Sequence, residues 1–282
     1  QQAKLLYLKS IANGFENESL YTNLGVICKN EGKFKESGRC HRHVLRINPL
    51  SYDAYTNLSS LAIEKNEFTS ALDLANKAIK LNPNCDVSHL NAGRALLELG
   101  DLEQALTSTL KSLELKPENP TAHLNLGGIY KDLGNLDQAL ASTIQSLELK
   151  PDNPTALMNL GSIYKDLGNL DQALASTLKS LELKPDNPGA FHNLNEVISE
   201  LTLSASNAHI LTEAFEIMLN LKNILHGKLS TIFIHLFLPA IQAASKSNHI
   251  ISDNSDALNN LAADWRLRKS LTLFVPPHQD FE

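Results

Sequence analysis

Residues 120–153 and 154–187 read PTAHLNLGGIYKDLGNLDQALASTIQSLELKPDN and PTALMNLGSIYKDLGNLDQALASTLKSLELKPDN. The two stretches differ at only five of their 34 positions. Reading back in steps of 34 residues, the same skeleton recurs with increasing divergence in 86–119, 52–85 and 18–51. Self-similarity at a fixed period of this length indicates a repeat architecture in which each unit is one supersecondary element.

The recurring positions of each unit describe a pair of helices. Apolar residues recur at helical spacing in both halves. In the unit 120–153, Gly127 permits close approach of the second helix, and Gly134 ends the first. The small residue Ala139 begins the contact of the second helix, and Pro151 terminates that helix. The pattern therefore predicts five antiparallel helix pairs over 18–187, an all-α fold. Turns within the pairs are expected near Gly32, Asn66, Gly100, Gly134 and Gly168.

This pattern resembles the tetratricopeptide repeat, which runs Trp-x2-Leu-Gly-x2-Tyr, then Ala-x3-Phe, then Pro. The match rests on the run Asn125 to Tyr130 (NLGGIY), Ala139 and Pro151. The tryptophan position holds His123, Leu157 or Tyr21, and the phenylalanine position holds Thr109, Thr143 and Thr177. These replacements are expected to weaken the packing of single units. The resemblance implies a right-handed superhelical solenoid, and the near-identical copies are similar to tandem repeat proteins of marine cyanobacteria.

The organisation of the whole chain follows from where the period holds. Residues 1–17 are predicted to be the second helix of an N-terminal repeat whose first helix is absent. The five full units are 18–51, 52–85, 86–119, 120–153 and 154–187. Residues 188–226 are predicted to form a partial sixth repeat and a capping helix, and 227–282 a helical tail or the start of a further domain.

Composition bounds the classes of function. The chain has a net charge of −6 and a pI near 5.9, so it lacks the excess of positive charge that is typical of nucleic-acid-binding proteins. Its most apolar segment, 232–241, is too short to cross a membrane. Its three cysteines form no Cys-x-x-Cys motif, which favours a reducing compartment, and a cytoplasmic location is expected.

One asparagine recurs in every unit, two residues before the glycine position. The members are Asn23, Asn57, Asn91, Asn125, Asn159 and Asn193. One interpretation is duplication history together with a hydrogen bond between helices. The other is a ladder that binds an extended peptide, because a carboxamide offers one acceptor and two donors. Such a ladder is similar to the repeat domain of O-linked N-acetylglucosamine transferases. Further groove residues are predicted at Leu90, Arg94, Leu124, Lys131, Met158 and Lys165.

Motifs for catalysis or metal binding are weak or missing. His278-Gln279-Asp280 has the His-x-Asp spacing of an iron site, but no later histidine follows. No Walker loop, dinucleotide fingerprint or nucleophile elbow occurs. No metal, cofactor or catalytic residue is therefore predicted. The basic residues of the carboxylate clamp, with which related cochaperones hold acidic tails, are also absent.

Together these features predict a protein–protein interaction scaffold that binds an extended segment of a protein or peptide partner in its groove, with no nucleic-acid or membrane partner. The alternative is a targeting arm of a larger transferase or oxygenase whose catalytic domain lies outside this chain. The identity of the partner and the oligomeric state stay open.

Overall fold

A computed structural model describes residues 2–200 of the chain. Over this range the chain forms twelve α-helices and no strand, which confirms the predicted all-α class. The helices are α1 (Gln2–Ala12), α2 (Glu18–Asn30), α3 (Phe34–Ile47), α4 (Tyr52–Glu64), α5 (Phe68–Leu81), α6 (Asp86–Leu99), α7 (Leu102–Leu115), α8 (Pro120–Asp132), α9 (Leu136–Leu149), α10 (Pro154–Asp166), α11 (Leu170–Leu183) and α12 (Pro188–Glu200). The part of the predicted segment 188–226 that follows residue 200, with its capping helix, and the predicted tail 227–282 lie outside the described residues.

The chain divides into two compact units, residues 1–149 and 150–282. In the first unit each first helix packs against the second helix of its own pair, giving the pairs α2–α3, α4–α5, α6–α7 and α8–α9. Successive first helices of this unit also contact one another. In the described part of the second unit, α10 packs against α11, and α12 packs against both.

The turn inside each pair contains a residue with left-handed backbone geometry. The φ angles are 74° at Gly32, 59° at Asn66, 82° at Gly100, 77° at Gly134 and 77° at Gly168. These are the five predicted turn positions. Asn66 stands where the other turns have glycine, and asparagine is one of the few other residues that adopt this conformation.

The two helices of a pair approach most closely at the mid-helix glycine. A Cβ added to Gly127 would overlap Oγ1 of Thr143 and would lie 3.3 Å from the carbonyl oxygen of Ala139. Gly93 and Gly161 meet Thr109 and Thr177 in the same way. All three threonines are fully buried. Threonine therefore occupies the space that the missing glycine side chain leaves, at the position where the repeat pattern has phenylalanine.

The remaining two pairs of residues 18–85 fill this space differently. In α2–α3 the imidazole of His41 occupies it, 2.6 Å from where a Cβ on Gly25 would stand. In α4–α5 the glycine is replaced by Ser59, and the residue facing it is Ala75 rather than threonine. The Ser59 hydroxyl donates to the carbonyl oxygen of Ala71 at 2.7 Å. A larger residue on one helix is thus matched by a smaller one on the other.

Candidate functional site

The predicted groove residues all lie on first helices. Within residues 1–149 these helices are α2, α4, α6 and α8, and within 150–200 they are α10 and α12. We call the predicted residues of the first unit its first-helix face. It consists of Asn23, Asn57, Leu90, Asn91, Arg94, Leu124, Asn125 and Lys131. Met158, Asn159, Lys165 and Asn193 are the corresponding residues of the second unit.

Asn91 bonds to the preceding first helix. Its side chain is 6% exposed, and Nδ2 donates to the carbonyl oxygen of Thr56 at 3.1 Å and to Oγ of Ser60 at 3.0 Å. Asn193 repeats this arrangement in the second unit, with Nδ2 donating to the carbonyl oxygen of Met158 at 2.9 Å. Both donors of Asn91 are therefore used within the fold, as the interpretation of a bond between helices requires. Its oxygen accepts no hydrogen bond within residues 2–200.

Asn125 differs from Asn91, although it occupies the same position on α8. It is 3% exposed, yet its carboxamide makes no hydrogen bond to any residue of the described range. The side-chain oxygen and nitrogen of Asn125 still contact solvent. Water can therefore bond to this carboxamide, and a ligand that offers N–H and C=O groups can replace that water.

The other asparagines complete the comparison. Asn57 and Asn159 are half-buried and make no hydrogen bond within the described part of the chain. Asn23 is exposed, and its Nδ2 donates to the hydroxyl of Tyr7 on α1 at 3.2 Å. The six positions are thus equivalent in sequence and unequal in bonding.

The charged groove residues are mostly paired. Arg94 lies 2.6 Å from Glu98 on the same helix. Lys165 lies 2.6 Å from Glu196, which joins α10 to α12. The hydrogen bond to Glu196 raises the pKa of Lys165 above its usual value. Lys131 is half-buried. Arg94 in the first unit and Lys165 in the second are therefore each paired with a carboxylate.

The apolar groove residues differ in exposure. Leu124 is 8% exposed and contributes to the core, whereas Leu90 and Met158 are half-buried. Val87, which lies one helical turn before Asn91, is 38% exposed and presents apolar surface on α6. The sequence pattern did not single out Val87, nor Ser60 and Tyr7, the partners of Asn91 and Asn23. Ser60 lies three residues after Asn57, and this helical spacing predicts that Ser60 lies on the same face of α4 as Asn57.

Chemistry other than binding has little support in the described residues. Residues 2–200 hold no cluster of three or more side chains suited to a metal ion. Burial raises the pKa of the Cys40 thiol to about 11, and burial also raises that of Cys28. Neither thiol is therefore activated as a nucleophile, which would need a lowered pKa. None of the helices in the described range combines the length and apolarity needed to cross a bilayer.

Family models match the helix pairs. A model described as TPR repeat matches residues 93–134 and 127–168, and two models described as tetratricopeptide repeat match 52–85 and 154–187. No curated protein matches the chain by sequence. The similarity to cyanobacterial arrays stays a prediction.

Solved structures show the same fold. A thermophilic TPR protein of Thermus thermophilus, TTC0263, is 25% identical with a TM-score of 0.55, covering 64% of this chain and 99% of its own. The APC/C hetero-tetramer Cut9–Hcn1 gives 17% identity and a TM-score of 0.65, over 78% of this chain and 44% of that one. MamA of Desulfovibrio magneticus RS-1, from residue 41 to its end, gives 19% and 0.50, over 61% and 97%. Residues 52–85 and 93–187 therefore match tetratricopeptide repeats, and the described residues 2–200 have the tetratricopeptide-repeat fold.

Proposed function

We propose that the chain is a protein–protein interaction scaffold and that its first-helix face binds an extended peptide segment of a partner. The observation that carries this proposal is the unpartnered carboxamide of Asn125, buried in the protein and still reached by solvent. An extended peptide supplies the N–H and C=O groups that such a carboxamide needs.

The spacing of the first helices suits an extended chain. Packed helices lie roughly 8–10 Å apart, and an extended peptide advances roughly 3.3 Å per residue. One asparagine per helix would therefore meet about every third residue of the peptide. In the first unit Asn57 and Asn125 would use their whole carboxamides, and Asn91 would use only its free oxygen.

The surroundings of the asparagines indicate what kind of segment binds. Val87 and Leu90 offer apolar surface beside Asn91, while Arg94 is already neutralised by Glu98. A segment with alternating apolar residues and little net charge fits this surface better than an acidic tail. A targeting arm of a larger enzyme would use the same face, and that alternative stays a prediction.

The test begins with a display library of random linear peptides of about twelve residues, enough to reach about four first helices. Selected peptides are titrated calorimetrically against the wild type, Asn125→Ala and Asn76→Ala. Asn76 is an exposed asparagine on α5, away from the first helices, so it is the matched control. We expect Asn125→Ala to weaken binding about fivefold, since a net hydrogen bond contributes about 1 kcal/mol. Unchanged affinity in Asn125→Ala, or equal losses in both variants, would contradict the proposal.

A further inference from the structure

The outer surface of α3 carries a row of cations. Lys35, Arg39, Arg42 and Arg46 are all exposed. Their spacing of four, three and four residues places them on one helix face, opposite the buried residues Val44 and Ser37. None of the four forms a salt bridge within residues 2–200. We call these four residues the basic stripe.

The basic stripe is peculiar to the first pair. The residues at the same four positions of α5 are Thr69, Asp73, Asn76 and Lys80, and those of α7 are Glu103, Thr107, Leu110 and Glu114. In α9 they are Asp137, Ala141, Ile144 and Glu148, which we call the acidic face. Helix α9 contains no lysine or arginine, whereas α3 contains four cations and the single carboxylate Glu36. A chain with a net charge of −6 thus concentrates positive charge on one helix and leaves another purely acidic.

The two surfaces match in length and register. The outermost residues of each are eleven positions apart, which is about 16 Å along a helix. Because the spacing reads the same in both directions, antiparallel helices bring Lys35 opposite Glu148 and Arg46 opposite Asp137. That orientation also opposes the helix dipoles favourably.

The middle of each surface is complementary as well. In the antiparallel register Arg39 faces Ile144, and Arg42 faces Ala141. Ile144 is 37% exposed, and arginine covers apolar surface with its methylene stem while its guanidinium stays in water. The small Ala141 leaves room for the second stem. Both surfaces are exposed, and none of the residues in the range 2–200 covers either of them.

We propose that this chain associates with itself head to tail, with the basic stripe of one copy lying antiparallel along the acidic face of a second copy. The occupant of the basic stripe is therefore another molecule of the same chain. Because the two surfaces differ, a pair of copies still has one basic stripe and one acidic face free, so association extends beyond a dimer. A contact between two helices is small, so it is weak and reversible.

The test measures the mass of the full chain by sedimentation over a range of concentrations. For the wild type we expect the average mass to rise with concentration. We also expect the rise to disappear between about 0.01 M and about 1 M salt, as the Debye length falls from about 30 Å to about 3 Å. Lys35→Glu with Arg46→Glu places two carboxylates opposite Glu148 and Asp137, so this variant should need at least about tenfold higher concentration to associate, a shift of ~1.4 kcal/mol. The matched control, Lys65→Glu with Lys80→Glu, changes the net charge equally at exposed sites outside both surfaces and should behave as the wild type.

A charge exchange makes the test specific. Asp137→Lys with Glu148→Lys alone should likewise need at least about tenfold higher concentration to associate than the wild type. Mixing the two variants should restore association, because each reversed surface meets a complementary one. A wild type that is monomeric at every concentration would overturn the proposal, as would a mixture that associates no better than either variant alone or a control that loses association equally. Binding of heparin to a monomeric wild type through the basic stripe would assign the stripe to a foreign polyanion instead.

Discussion

The helix pairs α2–α3 and α8–α9 share one backbone arrangement and differ in nearly everything placed on it. In both, a glycine on the first helix contacts the second, but the residue facing it is His41 in one and Thr143 in the other. The asparagine bonds to Tyr7 in the first pair and has no partner in the described range in the second. The outer face is basic in α3 and acidic in α9. The repeat skeleton determines the fold, and the residues between its fixed positions are free to differ in chemistry.

The largest effect is expected where the skeleton is tightest. Gly127→Ala places a methyl group into Oγ1 of Thr143, so we expect a loss of about 2 kcal/mol in the free energy of unfolding. Combining it with Thr143→Ala recreates the small-residue partner that Ser59 has in Ala75 and should recover at least about half of the loss. Denaturant titration of the two single variants and the double variant measures the coupling.

Gly134→Ala separates this contact from a general effect of losing glycine. Gly134 has a φ of 77° and nothing within 4 Å of an added Cβ, so only backbone strain of about 1 kcal/mol is expected. The partner change Thr143→Ala should not relieve it. A double variant of Gly127 and Thr143 no more stable than Gly127→Ala would show that the two residues are not coupled.

His41 makes the stability of the first helix pair depend on pH. Burial, and secondarily the charge of Lys29, lowers the pKa of His41 from 6.5 to about 4. Between these two pKa values the folded state binds fewer protons than the unfolded state. The free energy of unfolding is therefore highest above pH 6.5 and falls as the pH drops towards 4. We expect a loss of about 2 kcal/mol across this range.

His41→Thr supplies the residue that α8–α9 uses and removes this titration. Thermal melts at intervals between pH 6.5 and 4 should show a flatter slope for the variant than for the wild type. The comparison concerns slopes, because the smaller side chain leaves a cavity that lowers stability at every pH. Parallel curves for the two proteins would mean that His41 is not held neutral in the folded state.

The sequence predicted the helix pairs and their turns because the determinants are local. A period of 34 residues, the glycine at Gly134 and the proline at Pro151 act within a single unit. The sequence could not show which asparagines bond within the fold. The hydrogen bond from Asn91 depends on Ser60 and on the register between two helices. The threonines at the phenylalanine position were expected to weaken packing, yet Thr143 is fully buried against Gly127. Local pattern thus predicts the elements, and contacts between units decide how each side chain is used.

A smaller effect is expected from the bond between helices itself. Asn91→Ala removes the donors to Thr56 and Ser60 and should lower stability by about 1 kcal/mol, seen as a lower melting temperature. Asn125→Ala removes a carboxamide without a partner and should leave the melting temperature equal or slightly raised, because alanine is the better helix former. Equal losses in the two variants would mean that Asn125 also bonds within the fold.

The central claim is that the asparagines without a partner bind peptide, and one titration tests it most directly. A selected peptide is titrated calorimetrically against Asn57→Ala with Asn125→Ala, and against Asn91→Ala. If each free carboxamide contributes about 1 kcal/mol, the double variant should bind roughly 30-fold more weakly, while the single variant should lose no more than about threefold. A double variant that binds as tightly as the wild type would contradict the account, because the ladder would then serve the fold alone.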